Sequence, residues 1–116
     1  PRLFHGSENI VRDFIYIEDV IQANICACST QNSGVYNVGT GEPRSFQDIS
    51  DILQKEIGLN LGTEYFPNPF DGYQTHTQAN IESSKKYLGF TPQFSLEDGI
   101  KSYVQEIRRL HGTSNE

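Results

Sequence analysis

The chain has 116 residues, a length suited to one domain or part of one. With 35% hydrophobic residues and a mean hydropathy of −0.53, a single core is feasible but thin. A formal net charge of −6 argues against a nucleic-acid partner, and no run of about 18 apolar residues is present to span a membrane.

Residues 2–5 (Arg2, Leu3, Phe4, His5) form a candidate short strand that ends at Gly6 and Ser7. A polar turn at 7–9 follows, then the β-branched and aromatic run 14–17, which predicts a buried strand. Glu18 and Asp19 suit the positive end of a helix dipole. Ile21, Ile25 and Cys28, at i, i+4 and i+7, give that helix one apolar face. Val35, Tyr36, Asn37 and Val38 predict another strand, apolar enough to be buried on both sides, closed by Gly39-Thr40-Gly41.

Ser45 is a candidate N-cap with Asp48 three residues on, in capping-box spacing. Phe46, Ile49, Leu53 and Ile57 make the stripe of the helix it opens, and Gly58 offers a left-handed end. Residues 63–66 read as a strand stopped by Pro67 and Pro69. No periodicity runs through 67–77, and irregular segments of that length in compact domains are often functional. Asn80 opens a short helix through Leu88, closed by Gly89. The last helix starts near Ser95 with Leu96, Ile100, Tyr103, Ile107 and Leu110 on one face, and 112–116 form a tail.

Strands and helices thus alternate, an α/β pattern, but with few partners for the strand at 35–38. That mismatch, together with a chain that lacks methionine and begins at Pro1, suits a portion of a longer polypeptide. The leading residues resemble no secretory leader, so the cytosol is the expected compartment.

Several chemistries lack their residues. Cys26 and Cys28 flank one alanine and fall in a helical apolar pattern, so packing in the core is expected rather than a disulfide or a metal site. His5, His76 and His111 are scattered without ligand spacing. Gly39-Thr40-Gly41 has no third glycine and leads into Glu42-Pro43, a poor dinucleotide cradle. None of the six tyrosines is followed four residues later by a lysine, the pairing that would lower a phenol's pKa for proton transfer.

The run 12–20 (RDFIYIEDV) resembles a segment characteristic of extended short-chain dehydrogenase/reductases, which include nucleotide-sugar epimerases and dehydratases. Residues 34–41 (GVYNVGTG) are similar to the family's next element, in the same order and at the same distance. Residues 3–9 (LFHGSEN) and 73–79 (YQTHTQA) are similar to stretches of the ADP-heptose epimerases within the family. Asn80 departs from an expected aspartate there, and His5 from a common acidic residue.

The resemblance implies that residues 1–116 are the C-terminal, substrate-binding portion of such an enzyme, with strands and helices that complete a Rossmann-type sheet in the intact protein. It implies NADP-dependent epimerisation at C6 of an ADP-heptose, with NADP and the tyrosine–lysine pair held by a preceding portion. It also implies a homo-oligomer when intact. A 4-epimerase or dehydratase acting on a UDP- or dTDP-sugar stays open, as does a non-catalytic binding module.

Within this reading Arg12 offers a guanidinium fork for a diphosphate, or else pairs with Asp13. Phe4, His5, Gly6 and Ser7 would line the nucleotide end: a flat apolar ring, a close backbone approach and a hydroxyl. Tyr73 supplies a phenol that can bond phosphate or sugar while its ring packs, with Gln74 and Thr77 as weaker neighbours. Asp13 and Asp19 are expected to be structural.

Overall fold

Local chemistry and structure agree best between 44 and 58. In the computed structural model, which describes residues 1–112, α2 spans Phe46–Ile57 and is capped at both ends. Ser45 Oγ accepts from Asp48 N at 3.0 Å while the Asp48 carboxylate accepts from Ser45 N at 3.1 Å, so two end amides are satisfied reciprocally. Gly58 closes the helix at φ 75°, a left-handed conformation that favours glycine. Arg44, just before the cap, donates to Asp48 at 3.2 Å and to Glu97 at 2.7 Å, tying the start of α2 to the start of the final helix.

The strands are short. β1 (Arg2–Phe4) and β4 (Glu64–Phe66), both expected, pair in parallel with Leu3 opposite Tyr65. β2 (Val11–Arg12) and β3 (Arg44–Ser45) pair antiparallel with Arg12 opposite Arg44. These two-residue strands carry no sequence pattern long enough to predict. A single parallel bridge joins Val11 to His76.

Two expected strands are absent. Residues 13–16 run without a ladder partner, and Ile17 already belongs to α1 (Ile17–Ser29). Residues 35–38 form no strand either, and Val35 is 99% exposed. β-rich composition gives a strand only when a neighbouring strand takes its amides and carbonyls, and the described residues supply none here.

The apolar face of α1 is likewise uncovered. Ile17, Ile21 and Ile25 are each more than half exposed, Cys28 is exposed and Cys26 only half-buried, which corrects the expected burial of the cysteines. The helix packs instead through Asp19 and Ala23.

A turn of π-helix at Ser84–Leu88 ends on Gly89 at φ 67°. The expected cap, Asn80, accepts from Glu82 N at 3.1 Å, but the turn itself starts on Ser83, which makes no side-chain cap bond. Ser84 Oγ donates to the Asn37 carbonyl and anchors the exposed 34–38 segment.

α3 (Leu96–His111) starts on Ser95, which accepts from Asp98 N at 3.1 Å. It packs on α2 and meets Tyr16 at Gly99, where a Cβ would lie 3.0 Å from the tyrosine's own. Of its expected stripe, Ile100 is buried while Tyr103, Ile107 and Leu110 are exposed. The expected tail beyond Gly112 lies outside the described residues.

The buried apolar residues are few: Ile10, Ala23, Ile81, Phe90, Ile100 and Val104. The molecule is a slab 49 × 42 × 17 Å with a radius of gyration of 16.8 Å. A free-standing domain of about 100 residues would be near 13 Å.

Candidate functional site

Four of the six candidate residues converge on one place. β1 carries Phe4, whose ring meets Phe66 at 5.0 Å and Tyr73 at 5.5 Å, both edge-on. Phe70 stacks on Tyr73 at 6.2 Å. β2 carries Arg12, whose guanidinium lies 5.3 Å from the Tyr73 ring centre and 5.7 Å from that of Phe46. The structure thus brings the irregular 67–77 segment to the strand ends and puts a cation against two aromatic rings.

Arg12 donates one Nη to the Val11 carbonyl at 2.9 Å and enters no ion pair among the described residues. The alternative partner, Asp13, is occupied elsewhere. Adjacent residues of an extended chain point to opposite sides, which separates the two. Arg12 keeps donors for an anion.

Between these groups lies a cavity of about 130 Å³ lined by Leu3, Phe4, Ser7, Ile10, Phe46 and Tyr73, with Arg2 and Phe66 at its edge. Ser7 is 1% exposed, and its Oγ has no hydrogen-bond partner. A buried hydroxyl without a partner is costly, so a ligand atom in this cavity would find a ready polar contact.

Gly6 precedes Ser7 at φ 79°, and a Cβ there would meet nothing within 4 Å. The turn demands the glycine, and the space beside it is open. His5 stands apart. It is exposed and stacks on Tyr65 at 6.0 Å, away from the Phe4–Tyr73 cluster. Gln74 and Thr77 line a separate open polar groove with Asn80 and Lys85.

Sequence reasoning missed Arg2, Phe46 and Phe66. Arg2 lies 4.9 Å from the Phe66 ring and pairs with Glu64 at 3.4 Å. Phe46 reads from sequence as part of a helix stripe, and no local signal says that its ring would face Arg12.

The two acids of the RDFIYIEDV run are indeed structural, with more to do than expected. Asp13 Oδ1 accepts from Thr40 N and Thr40 Oγ1, each at 2.7 Å, and Oδ2 from Gly41 N at 2.8 Å and Ala79 N at 3.0 Å. Burial alone would raise this carboxyl, but these hydrogen bonds outweigh it and hold it below its ordinary value of 3.8. Asp19, 1% exposed, accepts from Gln93 N at 2.9 Å and Phe94 N at 3.0 Å, fastening the approach to α3.

The 39–41 turn does not fit a dinucleotide's phosphates. The amides of Thr40 and Gly41, the nearest thing to a phosphate cradle, are both spent on Asp13.

No family model matches the chain. It is 36% identical over 115 residues to an ADP-L-glycero-D-manno-heptose-6-epimerase from Brachyspira hyodysenteriae, covering 96% of this chain and 36% of that protein. The solved ADP-L-glycero-D-manno-heptose-6-epimerase of Helicobacter pylori matches with a TM-score of 0.83 and 45% identity, over 93% of this chain and 33% of that one. The UDP-glucose 4-epimerase of Thermotoga maritima, solved with UDP-glucose, matches with a TM-score of 0.85 and 30% identity, over 95% and 35%. The chain therefore spans about a third of the length of the relatives it matches. Over that stretch the chain is similar in sequence and fold to Rossmann-type nucleotide-sugar epimerases of the extended short-chain dehydrogenase/reductase kind.

Proposed function

We propose that this chain is the substrate-holding, C-terminal portion of a nucleotide-sugar epimerase acting on an ADP-heptose at C6. The observation that carries the reading is Arg12, a guanidinium outside any ion pair among the described residues and set between the rings of Tyr73 and Phe46, beside a cavity bearing the unpartnered Ser7 hydroxyl. A diphosphate would take the fork of Arg12 bidentately. The nucleotide end would lie against Phe4, with Ser7 Oγ bonding a ribose or phosphate oxygen and Tyr73 closing the far side.

The hydride carrier, NADP in this reading, and the tyrosine that moves the proton would come from the remaining two-thirds of an intact enzyme. When bound, the carrier would take a hydride from the sugar's alcohol and return it to the other face. The residues here would only hold and orient the sugar nucleotide. The bare face of α1 and the unpaired 35–38 segment suit such a missing portion, because both present apolar surface left exposed among the described residues. An intact homo-oligomer belongs to the same proposal.

Titration calorimetry of the chain with ADP and with UDP tests the reading. ADP should bind more tightly, and Arg12→Lys should weaken it about tenfold by losing the bidentate fork. A preference for UDP would move the assignment to the UDP-sugar 4-epimerases. Failure of either nucleotide to bind would leave the family intact and remove the site. The chain supplied with NADP and ADP-heptose should show no turnover.

A further inference from the structure

Tyr73 sits in a segment whose only backbone ladder contact is the Val11–His76 bridge, yet its ring is held against both Phe4 and Arg12. We propose that Asp13 is the positioning residue of this site: its carboxylate latches the end of the Tyr73 segment to the 39–41 turn, so that Tyr73 stays facing Arg12. The inference rests on the nucleotide-sugar reading above and adds a residue to it that need not touch the ligand.

Four donors converge on the latch. Thr40 N, Thr40 Oγ1, Gly41 N and Ala79 N all point at the two carboxylate oxygens. An ionised carboxylate accepts at both oxygens, whereas an amide would turn an NH₂ toward one of these pairs. The closure is tight as well. A Cβ on Gly39 would lie 2.6 Å from Ala79 Cβ and 2.8 Å from Asp13 Oδ2, so only glycine lets the turn come this close.

Neighbouring bonds align the same segment: Val11 N to the Thr75 carbonyl at 2.8 Å, Thr77 N to the Val11 carbonyl at 3.2 Å and Gln78 Nε2 to the Gly41 carbonyl at 2.8 Å. Arg12 ends β2 and Asp13 follows it, the guanidinium lying against Tyr73 and Phe46 and the carboxylate on the 39–41 turn and Ala79. One faces the ligand while the other fastens the wall opposite it.

Amide hydrogen exchange on the 116-residue chain, followed by ADP titration, tests the latch. With Asp13→Ala, the amides of Thr77 and Ala79 should exchange at least about tenfold faster, while those of α2 and α3 keep their protection. Asp13→Asn should recover part of the loss, since its carbonyl can serve Gly41 and Ala79 while its NH₂ meets the Thr40 hydroxyl. ADP affinity should fall about tenfold with Asp13→Ala, and that loss should vanish in a Tyr73→Ala background, because the latch works through Tyr73.

Unchanged exchange at Thr77 and Ala79 would overturn the proposal, and so would an equal loss of affinity in both backgrounds. Should Asp13→Ala unfold the chain, Thr40→Val removes one of the four bonds to Asp13, together with the hydroxyl's two bonds to Glu42 inside the 39–42 turn. Selective loosening of 75–79 then supports the latch, and uniform loosening overturns it. If the unsubstituted chain binds no ADP, the proposed function falls, and the exchange pattern alone decides the latch.

Discussion

Around Arg12, the rings of Phe4, Phe46 and Tyr73 line one cavity; along α1, Ile17, Ile21 and Ile25 each leave more than half their surface in solvent. Both regions are apolar in sequence. The first is assembled from four segments distant in the chain, which cover each other. The second is one helix face without a counterpart among the described residues. Apolar residues mark surface that needs covering, and the cover is a separate matter. The lopsided helix also explains the thin slab, since a layer with one dressed face cannot make a second core.

The comparison can be broken or sharpened by substitutions on the two sides of α1 and at the site. The largest effect is expected on the inner side. Asp19→Ala strips the acceptor from two backbone amides beside α3 and should cost about 3 kcal/mol in urea unfolding, against little for the exposed Glu18→Ala next to it. Ala23→Leu, at the other buried position of α1, should cost about 1–3 kcal/mol by overpacking, read the same way.

Acid titration comes next. Asp13 and Asp48 sit below the ordinary carboxyl value because their hydrogen bonds, and for Asp48 the Arg44 charge as well, outweigh burial. A depressed carboxyl contributes stability above its unfolded value, lost as the pH falls through its folded value. Stability should therefore drop below about pH 4, and less steeply in Asp13→Ala.

The smallest effect is expected on the outer side. Ile21→Gln and Ile25→Gln should each stay within about 0.5 kcal/mol of the parent, while lowering self-association in sedimentation. A large loss there would mean that the face is covered after all.

The family resemblance, rather than periodicity, pointed to Arg12, Phe4, Ser7 and Tyr73, and the structure sets these four close together. His5 was drawn in by its neighbours in the chain and turns instead to Tyr65. The roles of Asp13 and Asp19 were only half legible. Each sits beside a plausible local partner, yet bonds amides 27 to 75 positions away.

By itself the sequence determined what depends on a few adjacent residues: the capping box at Ser45 and Asp48, the glycine ends at Gly58 and Gly89, the strands at β1 and β4, and the positions of α1, α2 and α3. Tertiary structure alone decided whether 14–17 and 35–38 became strands, which face of α1 was buried, and that Phe46 would lie under Arg12. Caps and turns are closed by bonds within one turn of chain, so neighbours suffice to specify them. A strand or a buried face exists only through a partner that the segment does not itself encode.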